Sequence, residues 1–413
     1  MFSREENDRL TRVGPATAMG NVLRRYWLPA LLTEEVPAPD CPPVRVRLLG
    51  EDLVAFRDSK GRLGLLAEHC SHRGTSLFFG RNENCGLTCI YHGWRYDVEG
   101  HVLETPAEPG ASDFRQKLRH KAYPCQEHAG VVFAYLGAPE KTPLFPSYEW
   151  LSLPAPNTHV IKSYLECNYL QGLEGDFDSS HTTFLHCNNL ADLSRLNRDG
   201  APRLEAEESR YGMRAISIRN ISEDQKYVRV SPFIMPTFSI VPGPATANFA
   251  ATDQRAFRFW VPIDDTRTWL YILTMRDIPF SEQETALGRS WVDSGYRRLR
   301  NAGNDYMQDR QLQKTLVYSG IKCVIPAEQD ACATESMGPI YDRTKEHLGY
   351  SDKTIIALRK LLLQAVKISE EGKDPPHIIK DPSLNDFCRL RALKGLIPAQ
   401  GSWRDLPDSD NAT

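Results

Sequence analysis

Between residues 44 and 137 apolar and polar positions alternate in short runs punctuated by turn residues. Val44 to Leu49 interleaves Val44, Val46 and Leu48 with Arg45 and Arg47, Leu53 to Arg57 runs into Asp58-Ser59-Lys60-Gly61, and Leu63 to Glu68 returns. A period of two with such turns predicts half-buried strands. Trp94 to Val98 and His101 to Glu104 flank the Glu99-Gly100 turn, and Tyr123 to Gln126 pairs with Val131 to Leu136, so this stretch reads as an all-β unit. The proline-rich run from Pro139 to Pro156 marks a boundary.

Beyond it the pattern changes. A strand from His159 to Glu166 precedes a helix at about Asn168 to Leu185, and strands follow near 204–209, 213–220, 226–234, 237–242 and 256–275. Two later helices are predicted: Ser281 to Arg300, opened by a Ser281/Glu284 capping box, and Lys353 to Ser369, whose leucine face ends before Gly372 and Pro375. The pattern predicts an α+β unit whose sheet is covered by helices on one side. The chain divides into an N-terminal segment (1–40) packing on the larger unit, the β unit (41–150) and the larger unit (151–413); the acidic end, Asp405 to Thr413, reads as a frayed tail.

Composition narrows the partners. The 413 residues carry 50 Lys and Arg against 53 Asp and Glu, a formal charge of -3, so no global field recruits nucleic acid or acidic lipid. No apolar run approaches the ~18 residues of a membrane span, and the polar start, Met1 to Arg12, lacks the blocks of a signal peptide. A cytoplasmic address is expected, where the ten cysteines are thiols or metal ligands.

Two Cys-His pairs stand out. Cys70-Ser71-His72 and Cys89-Ile90-Tyr91-His92 each follow a predicted strand and are trailed by Arg73-Gly74 and Gly93-Trp94. Two thiolates and two imidazoles are the ligand set of a tetrahedral zinc or of a [2Fe–2S] cluster in which His₂ replaces Cys₂ on one iron. A zinc finger pairs Cys with Cys and His with His on one element; here each loop supplies one of both, which suits two irons. Cys85 is read as a buried thiol. Further on, Asp178, His181 and His186 share one predicted helix. The two histidines, five apart, lie about 140° round an ideal helix, so they converge on one metal only if the helix loosens, as the β-branched Thr182 and Thr183 suggest. Two imidazoles and a carboxylate form the facial triad of non-haem iron oxygenases.

The Cys-x-His-Arg-Gly and Cys-x-x-His-Gly-Trp motifs resemble the Rieske signature of non-haem iron ring-hydroxylating oxygenases, and Asp-x-x-His-x₄-His behind Glu174-Gly175 resembles the phthalate dioxygenase-like group of their α subunits. The likeness extends from Met19-Gly20 and Leu23-Arg24-Arg25-Tyr26-Trp27 to the stretch at 342–349, where no role is carried over to His347. It implies an all-β Rieske [2Fe-2S] domain on a helix-grip (START-like) catalytic domain, with Cys70, His72, Cys89 and His92 on the cluster. It implies His181 and His186 on the mononuclear iron and Asp330 as the third ligand, with Glu335 the competitor and Asp305 and Asp309 solvated. Asp178 is the implied bridge to a cluster histidine, His72 or His92, of the neighbouring subunit in a head-to-tail homotrimer or stacked trimers. Thr75 and Tyr91 stand where respiratory Rieske proteins carry disulfide cysteines, which implies a potential toward the ~ −150 mV end of the Rieske range.

No Gly-x-Gly-x-x-Gly fingerprint or plant-type ferredoxin cysteine run is present, so a separate flavin and iron-sulfur reductase is implied. The expected reaction uses O₂ to cis-dihydroxylate an aromatic carboxylic acid, with monohydroxylation or O-demethylation as the alternative. A pocket is expected between the iron helix and the strands after it, among Ile216, Ile218, Phe233, Phe238 and Phe259, with Arg203 and Arg214 as donors to a substrate carboxylate. A Rieske electron carrier would need only about 100 residues and leaves the histidine helix unexplained; a zinc-stabilised binding module leaves the redox motif unexplained.

Overall fold

In the computed structural model, which describes residues 2–109, 113–190, 199–242 and 254–407, the chain opens with two short capped helices. Ser3 closes a capping box with Glu6 on α1 (Arg4–Thr11), and the Thr17 side chain accepts from the Gly20 N–H at the start of α2 (Ala18–Leu23). Both pack on the late helix at 353–370. The chain then enters β1 (Trp27–Leu32), which pairs with the strand at 131–135. The expected N-terminal segment 1–40 is therefore shared, its helices lying on the larger unit and its strand entering a sheet of the β unit. Trp27 to Leu32 is buried throughout, so no alternation reveals it as a strand.

β2 (Val44–Leu48), β3 (Glu51–Arg57) and β4 (Leu63–Ala67) form one antiparallel meander. β5 (Arg81–Glu83), β6 (Gly86–Thr88), β7 (Arg95–Tyr96) and β8 (Val102–Glu104) form another, and β9 (Cys125–His128) and β10 (Val131–Tyr135) join β1 in the order β1-β10-β9. Val54, Phe56, Leu66, Leu87 and Tyr96 make a separate small core that includes Cys70 and Cys89.

The larger unit starts with β11 (Thr158–Leu165), α3 (Tyr169–Phe177) and the single turn α4 (His181–Phe184). The one helix expected over Asn168 to Leu185 is thus two. β12 (Arg203–Ser209), β13 (Gly212–Asn220), β14 (Gln225–Ile234), β15 (Phe238–Ile240), β16 (Arg255–Asp264) and β17 (Arg267–Met275) complete an antiparallel sheet in the order β11-β17-β16-β15-β14-β13-β12. α5 (Glu282–Arg289) keeps the Ser281/Glu284 capping box but stops well short of Arg300, because the Asp293 carboxylate draws the Gly295 and Arg297 N–H groups into a turn. α6 (Arg310–Thr315), α7 (Ala327–Glu335) and α8 (Lys353–Glu370) follow, and β18 (Leu393–Pro398) adds an eighth strand beside β14.

α3 rests on β15 to β17 and α8 on β12 and β13, so the sheet wraps two helices. On its other face Ile216, Ile218, Val228 and Val230 pack under Trp403 and Leu406 of the C-terminal segment. No helix among the described residues is long and apolar enough to cross a membrane.

Candidate metal centres

The loops after β4 and β6 close in the same way. The Gly74 N–H donates to the Cys70 carbonyl (2.8 Å) and the Gly93 N–H to the Cys89 carbonyl (3.0 Å). Both glycines sit at positive φ, +77° and +75°, which an L side chain rarely adopts. Each loop roots its cysteine in the small core and leaves its histidine partly exposed at the tip. The His72 and His92 rings stand 4.5 Å apart, and Trp94 stacks on His72. The Tyr96 hydroxyl lies 3.0 Å from Cys70 Sγ, and burial and that sulfur raise its pKa.

Two thiols adjoin inside and two imidazoles adjoin outside. Among the described residues only His181, His186 and Asp330 bring three such donor atoms within 4.8 Å of one another, so the four loop residues do not gather round a single ion. That disposition fits a two-iron cluster better than one tetrahedral zinc.

The second centre depends on the break between α3 and α4. Asp178 leaves the helix with ψ 99°, and its Oδ1 accepts from the Ser180 N–H (2.8 Å) and the His181 N–H (3.2 Å). Arg219 of β13 grips the same linker, donating to the Ser179 carbonyl (2.6 Å) and hydroxyl (3.0 Å). The reset brings His181 Nε2 to 3.2 Å from His186 Nε2, with Asp330 Oδ1 of α7 at 3.7 and 3.0 Å from them. His186 Nδ1 donates to Gln329 Oε1 (2.8 Å), so Nε2 is the ring atom turned toward the other two donors. Two imidazole nitrogens and a carboxylate oxygen converging in this way fit a divalent iron. Burial raises the Asp330 pKa, but the hydrogen bond from His186 and the charges of His186, His181 and Arg258 outweigh it and hold the carboxyl at about 2. Burial lowers the pKa of His186, and Asp330 more than restores it; for His181 burial prevails.

A cavity of about 510 Å³ lies beneath this centre between α3 and the sheet. Odd-numbered residues of β13 and β14 face it: Ala215, Ser217 and Arg219, then Tyr227, Arg229 and Ser231. Arg229 spends one N–H on the Pro242 carbonyl (2.9 Å) and has no carboxylate partner among the described residues. Arg258 of β16 is committed to Asp176, which also accepts from Ser239 Oγ and Trp260 Nε1, both at 2.6 Å. A second cavity of about 470 Å³ opens elsewhere on the same segment; Asp178, His181 and Asp330 border both.

The expected carboxylate donors lie elsewhere. Arg203 is exposed and paired with Glu205 (2.8 Å), while Arg214 is 3.7 Å from Glu207 and lies over Trp403. Arg214 is an even position of β13 and so belongs to the opposite face. Of the expected apolar lining Ile216 reaches the cavity, whereas Ile218 sits in the cluster under Trp403 and Phe233, Phe238 and Phe259 are core residues. Arg219, Arg229 and Arg258 were missed, although counting by two from Ser217 and Ser231 reaches two of them. Glu335 is taken up by Arg298 (3.4 Å), Tyr306 (2.7 Å) and the Glu166 N–H (2.9 Å), and Asp309 caps α6. Cys85 is only partly buried and occupies the β5–β6 turn at φ +60°.

Residues 26–124 match the Rieske [2Fe-2S] domain family and residues 134–413 the LigXa C-terminal domain like family. The phthalate 4,5-dioxygenase oxygenase subunit of Pseudomonas putida is 37% identical over 98% of this chain and 94% of its own. The 3-chlorobenzoate-3,4-dioxygenase oxygenase subunit of Comamonas testosteroni is 35% identical over 97% and 96%. Among solved structures, the NdmA QL mutant of Pseudomonas putida CBB5 with caffeine has a TM-score of 0.62 at 20% identity, covering 86% of this chain and 94% of that one.

Proposed function

The chain belongs to the Rieske non-haem iron ring-hydroxylating oxygenases, in the phthalate dioxygenase-like group, as the oxygenase component of a multicomponent system, and from that premise we propose that it cis-dihydroxylates an aromatic carboxylic acid anchored by Arg229. The observation that carries the substrate class is this half-buried guanidinium, facing the cavity with no carboxylate among the described residues to neutralise it. A partly desolvated cation of this kind is satisfied by an anionic ligand. Ser217 and Ser231 on the same face offer hydroxyls to the rest of the ligand. The relatives' names, a phthalate and a chlorobenzoate dioxygenase, agree with that chemistry.

We assign Cys70, His72, Cys89 and His92 to the cluster and His181, His186 and Asp330 to the mononuclear iron. The cluster unit is assigned to residues 41–150 together with β1, and the catalytic unit to 151–413. When bound, the iron supplies O₂ activation and the [2Fe–2S] cluster relays the electrons brought by a separate reductase. Asp178 is held by the two backbone N–H groups ahead of α4 and keeps its second oxygen 3.7 Å from His181 Nδ1. Its side chain retains 29% of its exposure, enough to accept a proton-bearing imidazole from outside the chain.

That imidazole is assigned to His72 or His92 of a neighbouring copy in a homotrimer. The support is apolar surface on both faces such a ring would join: Ile90 and Tyr91 are 58% and 55% exposed at the cluster tip, and Phe184 and Tyr318 are large exposed residues near α4. Sedimentation of the wild type and of Ile90→Asp tests the trimer.

The whole reading is tested by metal and acid-labile sulfide analysis with a visible spectrum of protein purified without oxygen, followed by O₂ uptake with benzoate- and phthalate-type acids and a supplied reductase. Three irons and two sulfides per chain, a red-brown colour that bleaches on reduction, and a diol product support it. Two irons that accept no further Fe(II) would indicate an electron carrier, and zinc without sulfide would overturn the assignment.

A further inference from the structure

Gln329 precedes the assigned ligand Asp330 and is wholly buried at the base of α7. Its amide is fixed from both ends. Nε2 donates toward three acceptors, Asn188 Oδ1 (3.0 Å), Ser319 Oγ (3.1 Å) and the Ile321 carbonyl (2.8 Å). With the NH₂ end so engaged, Oε1 is the atom facing His186 Nδ1 at 2.8 Å. An amide oxygen only accepts, so Nδ1 carries a proton and Nε2, which points at His181 and Asp330, is the atom left to bind a metal. His181 has no such support: its Nδ1 is buried without a hydrogen bond and stands 3.7 Å from Asp178.

We infer that Gln329 is a positioning residue that locks the tautomer and ring plane of His186 as an iron ligand, with Asn188, Ser319 and Ile321 preventing its amide from turning over. The two histidines then have different duties. His186 is held through Gln329, whereas His181 Nδ1 has no corresponding acceptor. This rests on the assignment of His186 to the iron.

The test uses full-length protein with its cluster assembled and its visible spectrum as the check of integrity. Fe(II) affinity is measured without oxygen by competition with a chromogenic ferrous chelator in the wild type, Gln329→Met, His186→Ala and the double variant Asn188→Ala/Ser319→Ala. Loss of such an outer hydrogen bond is expected to weaken Fe(II) binding by about 10–100-fold in Gln329→Met, with an intermediate loss in the double variant. In Co(II)-substituted protein the exchangeable His186 ring N–H should give a hyperfine-shifted proton resonance that broadens into solvent exchange in Gln329→Met, a change that loosened packing alone does not produce. Wild-type affinity and an intact resonance in Gln329→Met would overturn the inference while His186→Ala still loses iron. Wild-type affinity in His186→Ala would instead sink the ligand assignment. Should Gln329→Met fail to fold, the double variant decides, and unchanged affinity there overturns the inference.

Discussion

Replacing Arg229 with Met removes the proposed anchor and keeps an unbranched side chain of comparable reach. A guanidinium has five N–H donors, and Arg229 uses one on the Pro242 carbonyl, leaving four for a carboxylate that takes two in a fork. Charge-assisted hydrogen bonds contribute roughly 1.5–3 kcal/mol each. Allowing for the water that both partners give up, losing the forked pair should cost about 2–4 kcal/mol of binding, a fall of roughly 30- to 1000-fold in affinity at 1.4 kcal/mol per decade. The fold should tolerate the change, since among the described residues no carboxylate pairs with this half-buried cation and no ion pair is lost. Burial already pushes the Arg229 pKa down. The assay is anaerobic calorimetry of wild type and Arg229→Met with an aromatic acid and with its primary carboxamide. Their double difference isolates the charge pair from packing. The acid should lose affinity and the amide should not; an equal loss for both ligands, or none for either, would refute the anchor.

Asp178→Asn should leave both metal centres loaded yet greatly slow single-turnover oxidation of a prereduced cluster followed by stopped-flow absorbance, and normal kinetics would remove the bridging role. Glu174 accepts from Arg343 and Arg359, and Arg343 is wholly buried, so Glu174→Gln leaves a guanidinium without its carboxylate and should cost about 3–5 kcal/mol, seen as a lower denaturant midpoint. In the metal-free protein the Asp330 carboxyl is held at about 2 against an ordinary 3.8, so the fold favours its ionised form. That stabilisation is complete above pH ~4 and should be lost as pH falls through ~2, by about 2 kcal/mol. Asp330→Asn should flatten this acid limb in urea titrations.

Strands of the β unit were legible because their alternation and turns are local, and the loop cysteines and histidines because their spacing is. The break at Asp178 was half visible: Thr182 and Thr183 suggested loosening, but the cause lies in the Asp178 carboxylate and in Arg219, a residue remote in sequence. Assigning arginines to the cavity failed for a related reason. Both faces of β13 are buried, so apolar character could not say which parity faces the helices; Ile216 and Ile218 pointed to the wrong one, and Arg214 went with them. β1 was hidden by uniform burial. Gln329 carried no pattern of its own, because its meaning depends on three acceptors drawn from other segments.

The division of β13 and β14 into a cavity face and a braced face bears on how such an enzyme changes its diet. Residues 215, 217, 229 and 231 touch the cavity, whereas 216, 218, 228 and 230 are anchored beneath the C-terminal segment, with Ile216 alone reaching both sides. Because the terminal segment braces the back of these strands, the cavity wall can be rewritten one alternate position at a time while the brace keeps the backbone in register. Substrate range and folding are thereby written on separate faces of the same two strands, which makes this wall a place where selection can explore new ring substituents with little cost to the scaffold.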